Sequence, residues 1–275
     1  MRVGGPVGQP TRGTTGTNRL RRNDRWIAAS DAFRRADDPL VIDLGYGASG
    51  VTAFELAQRL RRARADAEVI GLELDPARVV KAREQLDEVR AGSTTFASDL
   101  PVSFARGGFE VPLPENRRPA VIRAMNVLRQ YDEADVADTW KRVASRLAPG
   151  GMLVEGTCNE IGRVASWVDV APGGLPVRFT ISLRVAELEH PGIVAERLPK
   201  ALIHRNVPGE RIHDLLQALD REWERATPLS TFGAVQRWLA SVSALKSRGV
   251  PVLGDRRRWR LGELTVPWET VAPLR

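Results

Sequence analysis

From Leu40 onward the chain alternates short unbroken apolar runs with longer stretches in which apolar residues recur every three or four positions. Leu40-Val-Ile-Asp-Leu-Gly45 has the length and β-branched content of a buried strand and runs into a glycine-rich turn. Val51, Phe54, Ala57 and Leu60 then mark one face of a helix, and Arg61, Arg62 and Arg64 crowd its end, where cations complement the helix dipole. A second strand is expected over 67–74 and a second helix over 75–89, which makes a βαβ unit with a right-handed crossover. Further strands are expected at 102–106, 120–125 and 151–157, with a helix from about Asp132 to Leu147 before the last of them. Strands alternating with helices in this order build a doubly wound sheet.

The two ends differ from this middle. Residues 1–18, rich in Gly, Thr and Pro and without apolar periodicity, read as a mobile arm, and an amphipathic helix is expected near 23–36, stopped by Pro39. Beyond Trp167 a Pro/Gly patch over 171–176 leads into a stretch where Phe179, Ile181, Leu183 and Val185 alternate with Thr180, Ser182 and Arg184, the period of a half-buried strand. Helices over 211–226 and 231–248 and a last strand near 257–266 complete the pattern. The expected fold class is therefore α/β, a doubly wound, mostly parallel seven-stranded sheet with a helical C-terminal insertion or cap. Residues 1–22 are expected to form a flexible basic arm, 23–170 the core, and 171–275 the last strands plus the insertion, within the same domain.

Composition changes this picture in one respect. The chain has 275 residues and a net charge of +7, but residues 1–35 carry eight arginines against Asp24 and Asp31, so the body is nearly neutral. Only four of the 41 basic residues are lysine, a bias that argues against selected phosphate contacts. Arg19, Arg21 and Arg22 read as a solvated lead-in to the first helix, with nucleic-acid binding through the arm kept as a secondary reading. The single cysteine, Cys158, excludes an internal disulfide and any zinc site needing several thiolates. No apolar run is long enough for a membrane span and the N-terminal residues lack the apolar core of a secretory signal, so a cytoplasmic location is expected.

Candidate chemistry centres on Asp43-Leu-Gly45-Tyr46-Gly47-Ala-Ser-Gly50, a G-x-G-x-x-G run between a strand and a helix, with Glu73 closing the next strand. Two cofactors suit this geometry, because glycines admit the ligand to the backbone and a carboxylate after the second strand accepts from ribose hydroxyls. Asp43 at the strand mouth would repel the pyrophosphate of a nicotinamide dinucleotide. S-adenosylmethionine brings an ammonium, a carboxylate and a sulfonium but no phosphate, so Asp43 favours it. Leu147-Ala-Pro149-Gly150-Gly151 before a strand is the helix stop and re-entry of a parallel sheet.

With these segments in this order, residues 40–157 resemble the class I, Rossmann-like S-adenosylmethionine-dependent methyltransferases. The resemblance implies that Asp43, Gly45, Tyr46, Gly47, Glu73, Leu74, Gly108, Phe109 and Asn126 line the donor site, with Leu74 and Asp75 following the acid and Pro76 opening a helix. It implies methyl transfer to an acceptor, expected to be a small molecule. The family commonly places an aspartate after the third strand to hold the adenine amino group, where this chain has Arg106-Gly-Gly-Phe-Glu110. The alternatives are an NAD(P)-dependent oxidoreductase using the same loop and a non-catalytic binder of this fold.

In an open α/β sheet the acceptor lies beyond the carboxyl ends of the strands, which directs attention to 126–131 and 155–160. Glu155 interrupts the apolar run of a central strand and is expected to face the site. His204 is the candidate general base because an imidazole titrates near neutral pH, and Tyr131 is a further catalytic candidate. His190, His204 and His213 lack the spacing of a metal-binding pair, and no metal is expected.

Overall fold

The computed structural model describes residues 5–11, 13, 15–114 and 117–274. Arg2 and Arg12 of the expected basic arm lie outside them. The described strands are β1 (Leu40–Leu44), β2 (Glu68–Glu73), β3 (Val102–Arg106), β4 (Val121–Met125), β5 (Met152–Cys158), β6 (Val164–Ala171), β7 (Leu175–Leu183) and β8 (Glu263–Pro267). They form one sheet in the order β3-β2-β1-β4-β5-β6-β7-β8. The first five run parallel, with β1 between β2 and β4, so the strand order reverses beside β1. The last three continue as an antiparallel meander.

The helices are α1 (Arg21–Ala29), α2 (Asp31–Arg34), α3 (Val51–Leu60), α4 (Pro76–Arg90), α5 (Val136–Ala144), α6 (Lys200–Ile203), α7 (Arg211–Arg225), α8 (Ala234–Ser247) and α9 (Arg256–Trp259). Alternate side chains of each strand serve opposite faces. Val41, Val121, Val154 and Trp167 pack with Trp26, Phe54 and Leu86 from α1, α3 and α4. Leu40, Ile42, Ile122, Leu153 and Val168 pack with Trp140, Leu216, Trp223 and Trp238 from α5, α7 and α8. With both faces covered, the central strands are buried on both sides and mostly apolar instead of alternating, with Asp43, Arg123 and Glu155 as buried exceptions.

Four expectations are corrected. The sheet has eight strands among the described residues, not seven, and its C-terminal part is antiparallel. The unanticipated strand is β6, which is buried on both faces except at its last residue and so carries no alternating signal. It returns directly from β5 through a turn in which the side chain of Asn159 accepts from the backbone N–H of Arg163 at 2.9 Å. The helix expected near 23–36 breaks at Ser30, whose extended backbone and hydroxyl cap α2. The expected helix over 132–147 is helical only over α5, after a 3-10 turn at Glu133–Asp135. Arg19 and Arg22 are not a solvated lead-in: Arg19 is buried and donates to the Asn159 carbonyl, and Arg22 donates to the Leu261 carbonyl at 2.8 Å.

The segment between β7 and β8 is helical, as expected, and packs beside β6 and β7. Trp223 anchors it, donating through its indole to the Glu189 carbonyl at 2.8 Å with the Arg237 guanidinium 3.9 Å from its ring centre. No described helix is long and apolar enough to cross a membrane.

Candidate active site

Two adjoining hollows open at the carboxyl ends of the parallel strands, at the point where the strand order reverses. The glycine loop after β1 forms their shared wall. Gly45 has φ +71°, and a Cβ there would lie 2.9 Å from Val127 on the segment after β4, so glycine is what lets the loop pass. The larger hollow has a volume of about 440 Å³ and is bounded by Asp43, Gly45, Tyr46, Gly47, Asn126 and Cys158, with Thr11 and Thr15 of the arm above. The smaller is bounded by Gly45, Glu73, Leu74, Gly108, Phe109 and Tyr131 together with Val7, Gln9 and Thr11 of the arm, and about 10 Å³ of it is free. The structure thus brings all the expected donor-site residues onto two connected walls.

Asp43 does not behave as expected. Its carboxylate accepts from Arg123 Nε at 2.9 Å, from Arg123 Nη2 at 2.6 Å and from the Thr52 hydroxyl at 3.0 Å. Arg123, fully buried in the middle of β4, also binds Asp24 of α1, and Asp24 is held in turn by Arg59 of α3. Burial pushes the Asp24 carboxyl up to about 6 against the opposing pull of both arginines. The charge of Asp43 is therefore compensated inside the wall, and its repulsion of a pyrophosphate is not the deciding term.

The loop amides decide instead. Gly47 N–H donates to Glu73 Oε2 at 3.0 Å, Ala48 N–H to the Gly13 carbonyl and the Thr15 hydroxyl, Gly50 N–H to Gln85 Oε1 at 2.9 Å, and Val51 N–H to the Ser49 hydroxyl. A pyrophosphate at a helix N-terminus needs such donors free. Here protein acceptors hold them, one of them a buried carboxylate.

Glu73 closes β2 with a carboxylate that also accepts from Leu74 N–H at 2.8 Å and lies 3.5 Å from Arg78. Beyond β3, the place of the missing aspartate is taken by Glu110. One oxygen of Glu110 accepts from Gly108 N–H at 2.9 Å and the other from Val7 N–H at 2.7 Å, while Phe109 N–H donates to the Val7 carbonyl at 2.8 Å. An acceptor and a donor thus stand side by side at the end of β3. The Phe109 ring is buried against Tyr131, with ring centres 5.3 Å apart.

The three catalytic candidates are not brought together. Tyr131 borders the small hollow, and its hydroxyl accepts from Gln9 N–H. Glu155 lies outside the walls of both hollows, buried beneath α5, where one oxygen accepts from the Trp140 indole at 3.3 Å and the other has no partner among the described residues. It sits in the apolar core that Trp140 and Leu153 share, and the interruption in its strand marks a buried acid that neither hollow reaches. His204 is exposed at the end of α6, 3.2 Å from the Lys200 ammonium, and borders neither hollow. Only Arg197 of the insertion reaches the larger hollow, whose mouth also carries Arg19, Arg129 and Glu160.

Sequence reading missed Arg123, Asp24 and Glu110. Arg123 gives the same signal that Glu155 gives, a charge inside an apolar strand. Asn126 was found, and its backbone explains its position: φ is +62°, a left-handed conformation few non-glycine residues adopt, held by its side chain accepting from Cys158 N–H at 2.9 Å. Burial pushes the Cys158 thiol up, so it remains protonated.

No family model matches the chain, and no curated protein matches it in sequence. Among solved structures it is similar to the mitomycin 7-O-methyltransferase MmcR, with 24% identity, a TM-score of 0.36 and 50% of this chain and 36% of that chain covered. It is similar to the CcbJ methyltransferase from Streptomyces caelestis, with 19% identity, a TM-score of 0.38 and coverage of 61% and 71%. It is also similar to NcsB1, an O-methyltransferase from neocarzinostatin biosynthesis solved with S-adenosylmethionine, with 22% identity, a TM-score of 0.34 and coverage of 47% and 35%. The chain spans about a third of the length of MmcR and NcsB1.

Proposed function

We propose that the chain is an S-adenosylmethionine-dependent methyltransferase whose acceptor is a small molecule. The observation that carries the donor is the pair at the end of β3. Phe109 N–H and the Glu110 carboxylate offer a donor beside an acceptor, the complement of the ring nitrogen and amino group on one edge of adenine. Glu73 supplies the carboxylate for ribose hydroxyls, and Leu74 and Phe109 the apolar flanks of the base. Nicotinamide dinucleotide suits the cleft less well, because the amides its phosphates require are already bonded.

When bound, S-adenosylmethionine supplies a methyl group activated by its sulfonium. The chain's own part is to align the acceptor and keep water out, which needs no catalytic triad. The larger hollow adjoins the glycine loop and offers room for an acceptor, with Arg197 and Glu160, 3.4 Å apart, on its lining.

Calorimetric titration with S-adenosylhomocysteine and with NADH in parallel tests the donor, and binding of NADH alone would reverse the reading. Replacing Glu73 by alanine is expected to weaken S-adenosylhomocysteine binding by about 1 to 3 kcal/mol, the range for lost hydrogen bonds to a charged acceptor.

A further inference from the structure

We propose that the N-terminal arm is a built-in competitor of the donor's nucleoside, with the peptide group of Val7 occupying the place of the base edge. The inference rests on the donor reading above and goes beyond it. Val7 offers an N–H and a carbonyl, and the two reach Glu110 and Phe109 as the amino group and ring nitrogen of adenine would. The arm then follows the course a nucleoside would take. Gln9 N–H donates to the Tyr131 hydroxyl, Thr11 meets Arg78 beside Glu73, and Gly13 accepts from Ala48 in the glycine loop. The 10 Å³ left in the small hollow admits no purine, whereas the larger hollow stays open. The nucleoside half of the cleft is closed and the other half is not.

The closure is built to open. Gly8, Gln9 and Pro10 are exposed, and Val7, the one aliphatic side chain among residues 5–11, is only half-buried. A segment with so little apolar burial belongs to the low-stability end of local opening. Its equilibrium with the open cleft lowers the apparent affinity for the donor by the fraction of molecules that are closed.

Two substitutions in the full-length chain separate the arm from the cleft without altering its walls. Val7→Pro removes the N–H that Glu110 accepts. Gly8→Val introduces a side chain at φ +137°, where a Cβ would lie 3.1 Å from both Leu74 and the Tyr131 hydroxyl. Both variants are expected to bind S-adenosylhomocysteine at least tenfold more tightly than the parent by calorimetry. Hydrogen exchange of the parent supplies the second readout, and adding S-adenosylhomocysteine is expected to speed exchange at Val7 and Gln9. Unchanged or weaker binding in both variants, or slower exchange at those amides, overturns the proposal and makes the arm a lid over bound donor. Absence of binding by the parent and by both variants, all with the parent's melting temperature, overturns the donor reading together with it.

Discussion

Replacing Arg123 by leucine is expected to destabilise the chain by about 3 to 5 kcal/mol, the usual cost of removing one partner from a buried ion pair. The guanidinium is fully buried and bridges Asp43 on β1 to Asp24 on α1. Leucine fills much of the volume but leaves Asp43 with only the Thr52 hydroxyl and Asp24 with only Arg59 among the partners described. Urea unfolding monitored by tryptophan fluorescence measures the loss. Adding Asp43→Asn to the leucine variant is expected to recover part of it, because the second substitution removes a charge that has lost its counterion. A loss below about 1 kcal/mol would mean that both carboxylates reach water.

The second large effect is a pH dependence set by Glu155. Burial pushes its carboxyl from 4.5 up to about 8, with the Trp140 hydrogen bond opposing. The folded chain therefore keeps this proton through neutral pH while the unfolded chain loses it near 4.5. The stability that the group contributes is complete below about pH 4.5 and is lost as pH rises through about 8. Glu155→Gln has nothing to titrate, so the variant is expected to match the parent near pH 5 and to exceed it at pH 9 by on the order of a few kcal/mol. Melting temperatures of the two proteins across that range test the point. A constant difference would show that the carboxylate is already ionised in the folded chain. Because Glu155 lies outside both hollows, the substitution is also expected to leave S-adenosylhomocysteine affinity unchanged.

Much of the sheet was legible because its parallel half obeys local rules: apolar runs for β1, β2, β4 and β5, a helix stop at Pro149-Gly150, and the glycine loop between β1 and α3. β6 escaped because a strand buried on both faces loses its period, and its neighbour β5 ends without a Gly-Asn or Asn-Gly turn to announce a hairpin. The residues that border the two hollows were legible as a set because they cluster in sequence at strand ends. Their partners were not. Asp24 reads as one of two acids in the arginine-rich first 35 residues, and nothing local says that it meets an arginine 99 positions away. Glu110 was read as a departure because the expected acid was an aspartate, and nothing local says that the glutamate accepts from Gly108 N–H. Glu155 and His204 were singled out by residue type, and the sequence did not show that neither would border the two hollows.

The bond from Asp24 to Arg123 also bears on how this molecule can be dissected. A fragment started at Leu40 would hold every strand and the whole glycine loop, and on paper would pass for a self-sufficient unit. It would lack α1, leaving Arg123 a single buried carboxylate and exposing the apolar surface that Trp26, Ile27 and Phe33 cover. The front of the chain is thus part of the foundation beneath the cleft, and shortening from that end should stop ahead of Leu20.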